Sequence, residues 1–176
     1  GVTIIPLSAI ELKQKSSEIR VSSGVPELDR MCGGGLYRDS IILVSGATGT
    51  GKTLTVTHFI KAAILAGERA ILFASEESRE QLSRNATMWD LDFQEAERSG
   101  LLRIVCRYPE VMGLEDHLLQ MKRDMAEFRP LRVAVDSISA FERVSTPKSF
   151  REFIIGLTSS IKQQEITGVF TNTTSM

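Results

Sequence analysis

Three groups of residues in this chain have the types and spacing needed for phosphate chemistry. Gly46-Ala47-Thr48-Gly49-Thr50-Gly51-Lys52-Thr53 fits G-x-x-x-x-G-K-[ST] at every fixed position. Glycines at 46, 49 and 51 let a backbone turn tightly and aim successive N–H groups inward, and a following helix N-terminus adds partial positive charge. Lys52 is then expected to reach the β- and γ-phosphates of a nucleotide, and the Thr53 hydroxyl to ligate Mg2+. The second group is the adjacent pair Glu76-Glu77. Either Glu76 points toward the nucleotide as a general base, or both residues are acidic first-turn residues of the next helix, favoured by its dipole. The third is Asp136, which ends the apolar run Leu131-Arg132-Val133-Ala134-Val135. A carboxylate in that position can hold Mg2+ or its water opposite the Thr53 hydroxyl.

These groups work only if strands and helices deliver them to one place. Ser40 to Ser45 is a short apolar run rich in β-branched residues, as expected of a parallel strand covered on both faces. From Lys52 onward Val56, Phe59, Ile60, Ala63 and Ile64 form the buried stripe of an amphipathic helix, which Gly67 ends. A strand, an eight-residue loop pattern and a helix in register argue against a ligand-free glycine turn. Further strands are expected at Arg69–Ser75, Leu101–Cys106, Leu131–Ser137 and Gly168–Thr174. The first of these ends on Glu76-Glu77, at the sheet edge where ligands bind in open α/β folds.

Between the strands lie helices at Ser78 to about Trp89, Phe93–Arg98, Leu114–Phe128 and from Pro147, the last burying Phe150, Phe153, Ile154, Leu157 and Ile161. Met121 and Met125 are read as core gap-fillers. Trp89, the single tryptophan, shares a side with Leu82 and Ala86 and is either core or a stacking platform for a flat ring, with core the preferred reading. A serine cap is expected ahead of Pro26. Alternation of strand and helix gives an α/β class with a mostly parallel sheet covered on both sides. Residues 1 to about 20 read as a linker or arm, the alternative being a lone edge strand at Val2–Ile5 with a helical turn at Ser8–Leu12. A last strand that coincides with the end of the sequence suggests a fragment with an exposed sheet edge.

At 176 residues, 42% hydrophobic and 24% charged, the composition is that of one ordinary globular domain. Lys+Arg 21 against Asp+Glu 22 leaves a formal charge of -1, which does not advertise nucleic acid or an anionic membrane. No apolar run approaches about 18 residues and no signal-peptide order opens the chain, so a cytoplasmic protein without membrane segments is expected. Cys32 and Cys106 lack ligand or disulfide spacing, and His58 and His117 lack sequence partners.

With these residues laid out, the chain resembles the RecA-like P-loop ATPases, and much more closely the KaiC family of circadian-clock ATPases. The matching stretches are Val21–Val25, Met31–Gly35, Ser45–Thr53, Glu68–Ser78, Ala134–Ala140, Phe150–Phe153 and Gln164–Gly168 running into Phe170–Asn172. The likeness covers nearly the whole chain and is to the second, autokinase domain of that family, with 21–176 as its N-terminal portion. For that family the resemblance implies hexameric rings with ATP at each subunit boundary, and a domain that phosphorylates and dephosphorylates its own Ser and Thr. It also implies partners of the KaiA and KaiB kind. Carried over by position, Thr48, Gly49, Thr50, Gly51, Lys52, Thr53 and Leu54 hold the phosphates, Thr53 and Glu76 sit at Mg2+, and Trp89 contacts the nucleotide. Glu76 is then the catalytic carboxylate with Glu77 beside it. The family's paired phosphoacceptors, and the basic residues reaching a neighbour's nucleotide, are expected beyond Met176. Two other classes compete: a RecA-like recombinase or helicase core, against which the absence of a Lys/Arg cluster counts, and a nucleotide-gated scaffold.

Overall fold

Residues 16–174 are described by the structure, which is a computed structural model. The chain enters through a small antiparallel ribbon, β1 (Arg20–Val21) with β2 (Leu36–Tyr37), whose connection carries helix α1 (Pro26–Met31). Then follow β3 (Ile41–Gly46), α2 (Lys52–Leu65), β4 (Ala70–Ala74), α3 (Arg79–Thr87), α4 (Phe93–Arg98) and β5 (Leu102–Cys106). A 3-10 turn at Pro109–Val111 leads to α5 (Leu114–Phe128), β6 (Arg132–Asp136), α6 (Ile138–Arg143), α7 (Pro147–Gln163) and β7 (Thr167–Thr173).

Strands β3 to β7 form one parallel five-stranded sheet in the order β3-β7-β6-β4-β5. This is the expected α/β fold, consistent with a RecA-like P-loop ATPase. Period-two alternation divides each strand between two cores. In β4, Ala70, Leu72 and Ala74 face the layer of α2, α3 and α4, while Ile71 and Phe73 face α5, α6 and α7. Burial on both faces explains why β4 and β6 read as continuous apolar runs. β3, expected to be covered on both faces, is instead an edge strand whose Leu43 is 55% exposed. Met121 and Met125 are buried in the second layer, as expected.

Helix α2 is capped by Gly51 (φ 89) at its start and by Ala66 at its end, after which Gly67 turns left-handed (φ 70) and the Glu68 N–H returns to the Ala63 carbonyl. The serine cap expected for α1 is not found. Val25 is the N-cap and its side chain has no polar atom with which to cap, while the Ser22 hydroxyl and the Ser23 N–H donate to Asp29.

The expected exposed edge at the last strand is overturned. β7 lies inside the sheet between β3 and β6, where Gly168 pairs with Ile41 and a Cβ there would meet the Ile41 side chain at 3.1 Å. Within the described residues the edge strands are β3 and β5. The apolar patch Val2–Ile5 and the turn at Ser8–Leu12 lie outside the described residues, and Arg20, placed in the arm, already pairs in the ribbon. Among the described residues no helix is long and apolar enough to cross a membrane.

Candidate nucleotide site

β3, β4, β6 and β7 all end on the same edge of the sheet, and the turns that follow them enclose a cavity of about 690 Å3. Its lining takes Thr48, Gly49, Gly51, Lys52, Thr53 and Leu54 from the loop and the first turn of α2. Glu76 and Glu77 come from the end of β4, Asp136 from β6, Arg143 from α6 and Thr173 from β7. The volume is in the range of small-molecule sites.

The loop is built for anions. Gly49 (φ 82) and Gly51 (φ 89) take left-handed backbone that side-chain-bearing residues rarely adopt. Because the α2 N-cap is a glycine with no side-chain cap bond, the first-turn N–H groups are left for a ligand. Lys52 is 9% exposed, and its ammonium donates to the carbonyls of Gly46 (3.0 Å) and Ala47 (2.7 Å), which hold it across the loop mouth. Uncapped N–H groups, positive-φ glycines and this lysine fit the phosphates of a nucleotide.

Asp136 organises the next layer. The Thr53 hydroxyl donates to its Oδ2 at 2.8 Å, and the Thr171 hydroxyl donates to its Oδ1. Two of the three groups expected at the ion, Thr53 and Asp136, are therefore in contact although 83 residues separate them, while the third, Glu76, is bonded to Ser137 and Arg143. Among the described residues no cluster of three or more His, Cys, Asp or Glu side chains stands ready as a metal cage. One hydroxyl and one carboxylate fit Mg2+, which binds through few protein oxygens and completes its shell with phosphate and water.

The two glutamates have different surroundings. α3 begins only at Arg79, capped by Ser78 in a reciprocal box with Gln81, and its first-turn acid is Glu80. Glu76 and Glu77 therefore precede that helix, and the first-turn reading of the pair is overturned. Glu76 accepts from Arg143 at 2.5 Å on Oε1 and from the Ser137 hydroxyl at 2.8 Å on Oε2. Burial pushes its carboxyl upward, but the bonds from Arg143 and Ser137 and the nearby Lys52 charge outweigh it, so the group is held below the ordinary glutamate value. Among the described residues Glu77 accepts one side-chain bond, from the Asn85 amide at 3.2 Å. Burial and the charge of Asp136 hold Glu77 above the ordinary value.

Two expected binding residues do not line the cavity. Thr50 turns its hydroxyl onto the Ala47 carbonyl at 2.8 Å. Trp89 is 42% exposed, which overturns the core reading: α3 stops at Thr87, so the indole leaves the helical stripe, and Leu91 and Phe93 take the buried places instead. Its ring meets His58 edge-on at 5.5 Å. Arg143, Ser137, Ser139 and Thr171 are site residues that sequence reasoning missed. Ser137 is a favoured cap type ahead of α6, and Arg143 is the basic last-turn residue of that helix, a signal present but too short to stand out.

The profile of the family described as "ATPase: KaiC" matches residues 21–176. The circadian clock protein KaiC3 of Synechocystis sp. is 68% identical over 174 residues, 99% of this chain and 34% of that protein. The circadian clock oscillator protein KaiC of Thermosynechococcus vestitus is 60% identical over 174 residues, again 99% of this chain and 34% of its own length. The chain thus spans about a third of the length of these relatives. A family profile that covers the phosphate loop, the strand-end carboxylates and every strand of the parallel sheet makes this chain a member of the KaiC ATPase family.

Proposed function

We propose that this chain is the ATP-binding and ATP-hydrolysing part of a KaiC-like autokinase, corresponding to the second ATPase domain of that family. The observation that carries the reading is the convergence of Lys52, Thr53, Asp136 and Glu76 on one cavity at the carboxyl edge of the sheet. Backbone N–H groups of Gly49 and Gly51 and the Lys52 ammonium bind the phosphates and orient the γ-phosphoryl group. Thr53 and Asp136, with Glu76 beside them, would hold Mg2+, which would neutralise charge on the phosphate oxygens when bound. Glu76 accepts the proton of the attacking group, water for hydrolysis or a Ser/Thr hydroxyl for autophosphorylation. Its depressed proton affinity keeps it ionised at neutral pH. Lys52, Glu76 and Glu77 form the catalytic set, with Glu77 beside the base.

The wider reading follows the family. The protein works in the cytoplasm as a hexameric ring with ATP at each subunit boundary, where Leu54 and Trp89 meet the nucleotide, and it pairs with clock proteins of the KaiA and KaiB kind. Phosphate release and phospho-Ser/Thr formation in the native full-length protein test the reading. Both should fall on the order of 10²-fold with Glu76→Gln while ATP stays bound. Unchanged phosphate release would leave a nucleotide-gated scaffold.

A further inference from the structure

Ser137 is 1% exposed and is the N-cap of α6, yet its hydroxyl makes no cap bond. A cap serine ordinarily spends that hydroxyl on the first turn of its helix. Here it lies 2.8 Å from Glu76 Oε2 and 2.8 Å from the Ser139 hydroxyl, which in turn takes the Thr173 N–H at 3.1 Å. The directions are forced. An ionised carboxylate only accepts, so Ser137 donates to it; Ser137 Oγ must then accept from Ser139, whose own oxygen accepts from the Thr173 amide. The backbone of Ser137 is pinned as well, its N–H donating to Ser75 Oγ at 3.0 Å while the Ser75 hydroxyl donates to the Ser137 carbonyl at 3.0 Å.

The other carboxylate oxygen is held differently. Among the described residues Oε1 meets only Arg143, whose side chain is 58% exposed and lines the cavity. One oxygen of Glu76 is therefore tied to buried, mutually satisfied hydroxyls, and the other to a cation that solvent can replace.

We propose that Ser137 and Ser139 are positioning residues, which fix Oε2 of Glu76, leave Oε1 as the working oxygen, and couple the carboxylate to the end of β7. The inference rests on the ATPase reading above and adds to it a defined path between the catalytic carboxylate and Thr173, itself at the cavity wall. Such a relay is cooperative, so a change at one end is felt at the other.

The test uses the native full-length protein. Ser137→Ala should lower kcat for ATP by on the order of 10- to 10²-fold, the scale of a misplaced catalytic group, and leave KM within about twofold. Ser139→Ala should do the same more weakly, and Ser137→Thr, which keeps the hydroxyl, should restore most of the rate. Hydrogen exchange supplies a readout independent of turnover: Glu76→Ala should speed exchange of the Thr173 amide several-fold, as should Ser139→Ala. Thr173 exchange unmoved by Glu76→Ala would overturn the relay, as would a Ser137→Ala enzyme with unchanged kcat. Failure of the ATPase reading looks different, with no turnover in the unsubstituted protein, and the exchange result still decides the relay.

Discussion

At the amino end of β6, Arg132 is 2% exposed, and its guanidinium donates to Glu68 Oε2 at 2.7 Å and to the Ser22 carbonyl. Arg38 donates to the other Glu68 oxygen at 2.6 Å, and Arg132 lies over the Phe59 ring at 5.2 Å. At the carboxyl end of the same strand, Asp136 accepts from Thr53 and Thr171 and faces an open cavity. Both ends bury charge and satisfy it with hydrogen bonds from elements far apart in the chain. They differ in what is left over. The amino-end cluster closes on itself between the ribbon, α2 and the strands, with every charge answered from within the protein. The carboxyl end leaves uncapped N–H groups, a lysine resting on carbonyls and three carboxylates around a space. The first arrangement holds the sheet to its flanking layers, and the second holds groups ready for something else.

Substitutions at the two ends should therefore separate stability from nucleotide binding. Arg132→Ala has the largest expected effect. It strands Glu68 with one partner and opens a cavity, so it should cost about 3–5 kcal/mol in chemical unfolding, the scale of breaking a buried ion pair. ATP affinity of the fraction that remains folded should be unaltered. Equal losses of stability and of affinity would mean that the two ends are one network.

Lys52→Ala is the mirror experiment. Removing a charge-assisted contact to phosphate should weaken ATP binding by about 2–5 kcal/mol in titration calorimetry. The unfolding midpoint should barely move, since among the described residues the ammonium donates only to two loop carbonyls. Within the carboxyl end, Glu76→Gln should slow γ-phosphate cleavage on the order of 10²-fold, with Glu77→Gln the milder of the two. Single-turnover measurements separate this step from binding. A more damaging Glu77→Gln would reverse the roles within the pair.

How much of this is legible in the sequence depends on the range of the interactions. The five parallel strands are, because each carries a short run of apolar and β-branched residues, covered on both faces in β4 and β6 and only partly in edge strand β3, and so are the loop, α2 and Asp136. The ribbon β1–β2 is not, since two-residue strands carry no period. Strand order is also hidden: nothing local in Gly168–Thr173 says that it slots between β3 and β6 rather than at an edge. The same holds for the ties that position the site. Thr171 to Asp136 and Ser137 to Glu76 join residues 35 and 61 apart, and each reads alone as an ordinary strand or cap residue. Trp89 fails for a local reason, a helix that stops two residues before it.

The smallest expected effect distinguishes the two ends by sign. At the amino end, burial raises the Glu68 carboxyl, but the bonds and charges of Arg132 and Arg38 outweigh it, so the folded value lies below the ordinary one. A depressed carboxylate stabilises the fold above its unfolded value, and that contribution is lost as pH falls through the folded value. At the carboxyl end Glu77 is raised, chiefly by burial and then by Asp136, so folding favours its protonated form. Its contribution has the opposite slope: the charged form costs stability above the folded value, and the cost is relieved as pH falls toward the unfolded one. Glu68→Gln should therefore destabilise the protein at neutral pH and flatten its acid limb. Glu77→Gln should stabilise it modestly at neutral pH, with the gain shrinking in mild acid. Urea midpoints across pH 4 to 8 in metal-free buffer measure both. A loss of stability from Glu77→Gln at neutral pH would show that its carboxylate is part of what holds the carboxyl end together, and the contrast between a closed end and a poised one would fail there.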